Sequence, residues 1–124
     1  MSAYEFTVSV HTQYLEEHSQ PDNAQFVFAY TITIKNTGQV AAQLIARHWI
    51  ITDAHNHVEE VRGLGVVGHQ PLLRPGEKFE YSSGTAMATP QGSMTGSYFC
   101  VAEDGMQFET KIPEFIFSLP RTLH

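Results

Sequence analysis

The alternation of side chains over Gln25–Lys35 constrains this chain more than any other feature. Phe26, Phe28, Tyr30, Ile32 and Ile34 alternate with Val27, Ala29, Thr31 and Thr33. A period of two places side chains on opposite faces only in a β-strand. Nine residues at about 3.3 Å each make a strand of roughly 30 Å, enough to cross a small sandwich. The N-terminus repeats the pattern, with Tyr4, Phe6, Val8 and Val10 on one face and Glu5, Thr7, Ser9 and His11 on the other.

The same period recurs along the chain. Asn36-Thr37-Gly38 supplies a turn. Leu44–Thr52 is a strand with both faces largely apolar, which predicts a central strand covered on both sides. Asp53–His57 forms a hairpin tip and Val58–Arg62 the returning strand. Gly63–Gly76, rich in Gly and Pro, predicts an irregular loop. Phe79 and Tyr81 mark a short strand, Thr85–Gly92 a loop, and Met94–Ala102 a strand with Met94, Tyr98 and Cys100 alternating. Asp104-Gly105 is a two-residue hairpin signal leading into Met106–Ile112. Past Pro113, Phe115, Phe117 and Leu119 continue the alternation. Seven to eight strands without a sustained amphipathic helix predict an all-β antiparallel β-sandwich of fibronectin type III or immunoglobulin-like character. Tyr30, Ile32, Trp49, Tyr98 and Phe117 are its expected core.

Composition supports one folded domain over residues 1–124. Hydrophobic residues are 42% and charged residues 16%, enough apolar surface for a core. Seven Lys+Arg against thirteen Asp+Glu give a net charge of −6, against a nucleic-acid or anionic-membrane partner, whose binding needs clustered cations. A single cysteine, Cys100, excludes an intramolecular disulfide framework and accords with a reducing, cytoplasmic location. MSAYEFTVSV lacks the basic and apolar regions of a secretory signal. Tyr81–Ala102 carries no charge, but over half of it is Ser, Thr, Gly, Gln or Pro, so it is no membrane span.

Three chemical constellations invite a site. Gly63-Leu64-Gly65-Val66-Val67-Gly68 matches G-x-G-x-x-G, but Pro71 and Pro75 would break the helix that a dinucleotide site needs. What survives is a glycine-loop nest for an anion, with Gly63, Gly65, Gly68, His69 and Arg74 as candidate ligand contacts and Arg62 near in sequence. Seven histidines raise a metal question, with His55, His57, Asp53 and His48 the nearest set. Yet His and Asn at a hairpin tip are ordinary solvated residues, so the metal site stays unassigned. Gly92-Ser93-Met94-Thr95-Gly96 has Met94 where a nucleophile elbow needs Ser. Cys100 shares its parity with Tyr98 and reads as an inert core thiol. No catalytic residue and no cofactor is expected.

The segments Gln43–Asp53 (QLIARHWIITD) and Arg62–Pro71 (RGLGVVGHQP) closely resemble the ApaG family of small bacterial proteins. Leu73–Gly76, Phe79–Gly84, Thr89-Pro90, Gly92–Gly96 and Ile112–Phe115 continue the resemblance over essentially the whole chain. It implies a fibronectin type III-like sandwich, with links to cobalt resistance and magnesium efflux. It also implies genomic proximity to diadenosine tetraphosphate hydrolysis, and a proposed pyrophosphate role for Gly63, Gly65 and Gly68. Similar domains inside eukaryotic F-box proteins and a DNA polymerase delta-interacting protein imply protein binding.

The expected function is therefore a non-enzymatic protein-binding module, with pyrophosphate or nucleotide binding at Gly63–Gly68 as the alternative. The expected partner is an unidentified protein, with a second copy of the chain as one option. The uncharged run points to the Gly63–Gly76 and Ser82–Gly92 loops as the docking surface, because interface centres are poor in charge. Ser83, Met87, Thr89 and Pro90 are the residues expected to carry it.

Overall fold

The alternating segments all become strands. A computed structural model describes residues 2–120. It contains β1 (Phe6–Tyr14), β2 (Phe26–Asn36), β3 (Ala42–Asp53), β4 (Val58–Leu64), β5 (Leu72–Leu73), β6 (Lys78–Met87), β7 (Gln91–Ala102) and β8 (Gln107–Ser118). Two single 3₁₀ turns, Glu16–His18 and Pro21–Asn23, are the only helical pieces among the described residues. One layer runs β1-β2-β6, the other β4-β3-β7-β8 with the short β5 also on β3. Every pairing is antiparallel. The fold is an eight-stranded all-β sandwich, as the sequence predicts.

The core lies where the inner faces meet. β2 contributes Phe28, Tyr30, Ile32 and Ile34, β7 contributes Met94, Tyr98 and Cys100, and all seven are buried. Trp49 of β3 sits among three aromatic rings. Its centroid lies 5.8 Å from Tyr30, 6.1 Å from Tyr98 and 6.0 Å from Phe115, each edge-on. Such pairs add about 0.5–1.5 kcal/mol each beyond area burial. All five expected core residues are buried, Ile32, Tyr98 and Phe117 completely.

A buried amide locks the layers at one end. The Asn36 side chain donates to Val40 O (3.0 Å) and Leu73 O (2.9 Å) and accepts from Gly38 N (2.9 Å). These bonds hold the turn after β2 and the end of β5 together. Removing the amide would leave the buried Leu73 O short of this partner, at a cost of about 1–3 kcal/mol, and the half-buried Val40 O with it, while Gly38 N keeps its bond to Glu5 O.

β3 corrects the expectation of a strand covered on both sides. Its register against β7 shifts between Leu44 and Ala46, a bulge at Ile45. Before the bulge the even-numbered Ala42 and Leu44 are buried, and after it the odd-numbered Trp49 and Ile51 are. An extra residue reverses the parity of everything that follows. The strand thus reads apolar on both faces while each half buries only one. β7 and β8 shift likewise between Met94 and Gly96, where Pro113 sits in the irregular stretch of β8.

Three expected turns also differ. Lys78–Met87 is one ten-residue strand and β7 starts at Gln91, so the expected Thr85–Gly92 loop shrinks to Ala88–Pro90. The β7–β8 loop has four residues, Glu103–Met106, with Gly105 at φ +89° and its N–H donating to Ala102 O. Gly63–Gly76 is a miniature hairpin followed by β5. The uncharged run from Tyr81 to Ala102 is mostly strand, with Tyr81, Met87, Met94, Tyr98, Cys100 and Ala102 buried and the residues between them largely half-buried or exposed.

Trp49→Ala should destabilise the fold by about 3–5 kcal/mol, measured by urea unfolding, because the indole is 3% exposed and no neighbouring ring can fill its space.

Candidate functional site

The glycine motif folds into a tight turn whose amides are largely consumed. Gly63 is the penultimate residue of β4, and the Arg47 guanidinium lies over it. Arg47 Nη1 donates to Leu64 O and Gly65 O, both at 3.0 Å. Gly65 N donates to Ile45 O (2.8 Å), Val66 N to His69 O (2.7 Å) and His69 N to Val66 O (2.9 Å). Val67 (φ +48°) and Gly68 (φ +79°) then form the two-residue tip. Two consecutive left-handed residues make a hairpin turn, whereas an anion nest alternates right- and left-handed residues so that its N–H groups converge. Gly65, at φ +66°, has no room for a Cβ, which would strike His69 O.

The five candidate ligand residues therefore do not assemble. His69 is exposed and packs on Phe79, with centroids 5.6 Å apart. Arg74 is exposed at the Pro75-Gly76 turn, where its backbone N–H donates to Glu77 Oε1. Its side chain borders a hollow with Leu72, Ile45 and Val101, while Gly63 borders a different one with Arg62 and His48.

Two of the four expected partner residues are interior. Met87 is buried against the core, and Thr89 is 2% exposed. Thr89 Oγ1 accepts from Ala54 N (3.0 Å) and donates to Gln91 O (2.6 Å), tying the β6–β7 turn to the β3–β4 tip. Only Ser83 and Pro90 are exposed, and Ser83, on the same face of the sheet as Tyr30, borders a narrow seam between β4 and β6 with Gly84, Glu59 and Val61.

At the His55–His57 tip, Asp53 Oδ1 accepts from the backbone N–H groups of His57 (3.0 Å) and His55 (2.8 Å). The bond from His57 leads in holding this carboxyl below its ordinary range. Among the described residues no three His, Cys, Asp or Glu side chains cluster closely enough to hold a metal ion. Cys100 is buried, and burial pushes its thiol up to about 11. A thiol at that value is a poor nucleophile near neutrality.

The outer face of the β4-β3-β7-β8 layer holds what the sequence reading missed. Register places Leu64, Ala46, Phe99 and Glu109 in one cross-strand row, and Arg62, His48, Ser97 and Lys111 in the next. Leu64 is 75% exposed and Phe99 40%. Together with Ala46, Arg47, His48, Arg62, Gly63, Ser97 and Glu109 they border a hollow of about 470 Å³. An apolar row thus runs beside a row bearing cations, in a protein of net charge −6. His48 Nε2 lies 3.4 Å from Glu60 Oε2, and Arg62 3.6 Å from the same oxygen. One signal was available: Phe99 has the opposite parity to Tyr98 and Cys100, so a buried Tyr98 forces a large aromatic ring outward.

The ApaG domain pattern matches residues 16–102, a span holding this hollow's β3, β4 and β7 borders. The chain belongs to the ApaG family. It is 64% identical to Protein ApaG of Ralstonia nicotianae over 124 residues, covering both chains completely. Protein ApaG of Thiobacillus denitrificans is 64% identical over 121 residues, covering 98% of this chain and 95% of that one. A crystal structure of a Bordetella pertussis protein given the name ApaA superposes with a TM-score of 0.95 at 57% identity, covering 98% of each chain. This ApaG chain and that protein therefore share one sandwich. No helix among the described residues is long and apolar enough to cross a membrane.

Two outcomes follow from these local chemistries. Val67 is β-branched and held at positive φ, so Val67→Asn, which creates the Asn-Gly that this turn favours, should stabilise the protein by about 1 kcal/mol in thermal unfolding. Burial chiefly raises the Tyr81 and Tyr98 phenols as well as the Cys100 thiol. The unfolded chain ionises its thiol near the ordinary 9.0 and its phenols near 10.0. Native stability is therefore fully present below pH 9 and should fall as pH rises from about 9 through 11, as denaturant titrations across that range would show.

Proposed function

We propose that this ApaG chain is a non-enzymatic, cytoplasmic protein-interaction module that docks its partner on the outer face of the β4-β3-β7-β8 layer. The observation that carries this reading is the exposed Leu64–Ala46–Phe99 row above its hollow. Large apolar side chains at strand positions facing water cost solubility, and a rim of polar and charged groups around them is the composition of a docking patch. The neighbouring Arg62, His48 and Lys111 favour a partner segment with an apolar anchor and a carboxylate. The family's link to cobalt resistance and magnesium efflux then runs through the partner.

The reading is tested with Phe99→Asp and Ala46→Arg, both at outward positions. Each should fold normally by circular dichroism and lose about tenfold or more in affinity for proteins crosslinked to the wild type, as removal of an interface anchor does. Undiminished capture would overturn it, and Ser83→Lys then tests the seam beside β6. Titration with pyrophosphate, ATP and diadenosine tetraphosphate should leave the Gly63–His69 amide resonances unmoved, and saturable shifts there would favour the nucleotide reading instead.

A further inference from the structure

β4 ends its layer, so one of its backbone edges has no neighbour among the described residues. Which groups it presents follows from the ladder to β3. At the two ends of that ladder, Asp53 N donates to His57 O (3.0 Å) and Gly65 N to Ile45 O (2.8 Å), both between odd-numbered residues. Bonding alternates along an antiparallel pair, so Glu59, Val61 and Gly63 bond to β3. Val58, Glu60, Arg62 and Leu64 then aim their N–H and C=O groups at the open edge, while their side chains stand on the outer face.

The sequence of this edge is complementary to itself. A second β4 laid antiparallel about a two-fold axis at Val61 sets Glu60 opposite the partner's Arg62, and Val58 opposite the partner's Leu64. Both pairs then occur twice by symmetry. They are also the residues whose backbone groups lie on the open edge; Leu64 O already accepts from Arg47 Nη1 and has its second lone pair left for the partner's Val58 N–H. Charges on an edge strand ordinarily block pairing. Here Glu60 and Arg62 would repel most other registers and satisfy this one. The apolar side chains agree, because Val58 is 55% and Leu64 75% exposed in the single chain. In the pair they would cover each other and extend the Phe99–Ala46–Leu64 row into the neighbouring copy.

We propose that two copies of this chain pair through β4, joining their layers into one continuous eight-stranded sheet with a two-fold axis at Val61. An isologous contact of this kind closes on itself and leaves no further edge of the same type. It goes beyond the docking of a partner, since it uses the backbone edge of β4 and does not need Phe99.

Charge reversal tests it. Sedimentation equilibrium should find the wild type and Phe99→Asp dimeric. Arg62→Glu and Glu60→Arg each set like charges opposite one another twice, and should weaken the dimer about tenfold or more. The double variant Glu60→Arg/Arg62→Glu should restore it, and the two single variants mixed together should form a heterodimer. Near-ultraviolet circular dichroism checks that each variant folds. Should a reversal unfold the chain, Val61→Cys decides. A non-hydrogen-bonded pair brings Cα atoms to about 4.5 Å, within disulfide range, so mild oxidation should give a covalent dimer while buried Cys100 stays reduced. A wild type that is monomeric at millimolar concentration would overturn the proposal. So would a dimer indifferent to single reversal, a double variant that stays dissociated, or a Val61→Cys chain that does not crosslink.

Discussion

The bulge at Ile45 is the constraint on which the rest of the structure depends. Were Ile45 paired in a regular ladder, β3 could not bury both Leu44 and Trp49, whose positions have opposite parity. The bulge lets the first half seat Leu44 against Cys100 and the second half drive Trp49 among Tyr30, Tyr98 and Phe115. It also sets what solvent meets. With Trp49 inward, Arg47 also turns toward the interior and reaches Leu64 O and Gly65 O. His48 and Ala46 turn outward into the hollow. A regular ladder that paired Ile45 would exchange these roles and put an indole on the surface.

The glycine-rich segment is best understood as a consequence of that inward Arg47. A guanidinium lying over β4 leaves no space for a side chain at position 63, and a returning hairpin leaves none at position 65. The motif's small residues are thus spent on close packing between a charged side chain and backbone. A sequence pattern that reads as a ligand cradle can arise wherever an arginine must cap the end of a strand.

Alternation made most of the fold legible. β1, β2 and β7 keep a single parity throughout, and their inward residues could be named from sequence. β3 and β8 could not be read so simply, because each changes parity midway and no residue type marks a bulge unambiguously. The uncharged Tyr81–Ala102 run misled for a related reason. Ser82, Ser83, Gly84 and Thr85 look like loop composition, yet they form the middle of β6, with partners in β2 from Thr31 to Phe28. The outer face was legible only in part. Phe99 follows from the parity of its neighbours, but the company of Leu64, Ala46 and Arg62 depends on cross-strand register, which a single sequence does not state.

The placement of β6 beside β2 also has a cost in time. Thr31 lies opposite Ser82, so the ladder joins positions 51 apart in sequence. β2 is the most regularly apolar strand, and β1 can cover only one of its edges. At roughly 5–20 residues per second of synthesis, the other edge waits about 3–10 s for its mate to emerge. In that interval the chain is most prone to pair wrongly with another molecule. The nascent sandwich is therefore exposed to aggregation by the order of its strands as well as by their composition.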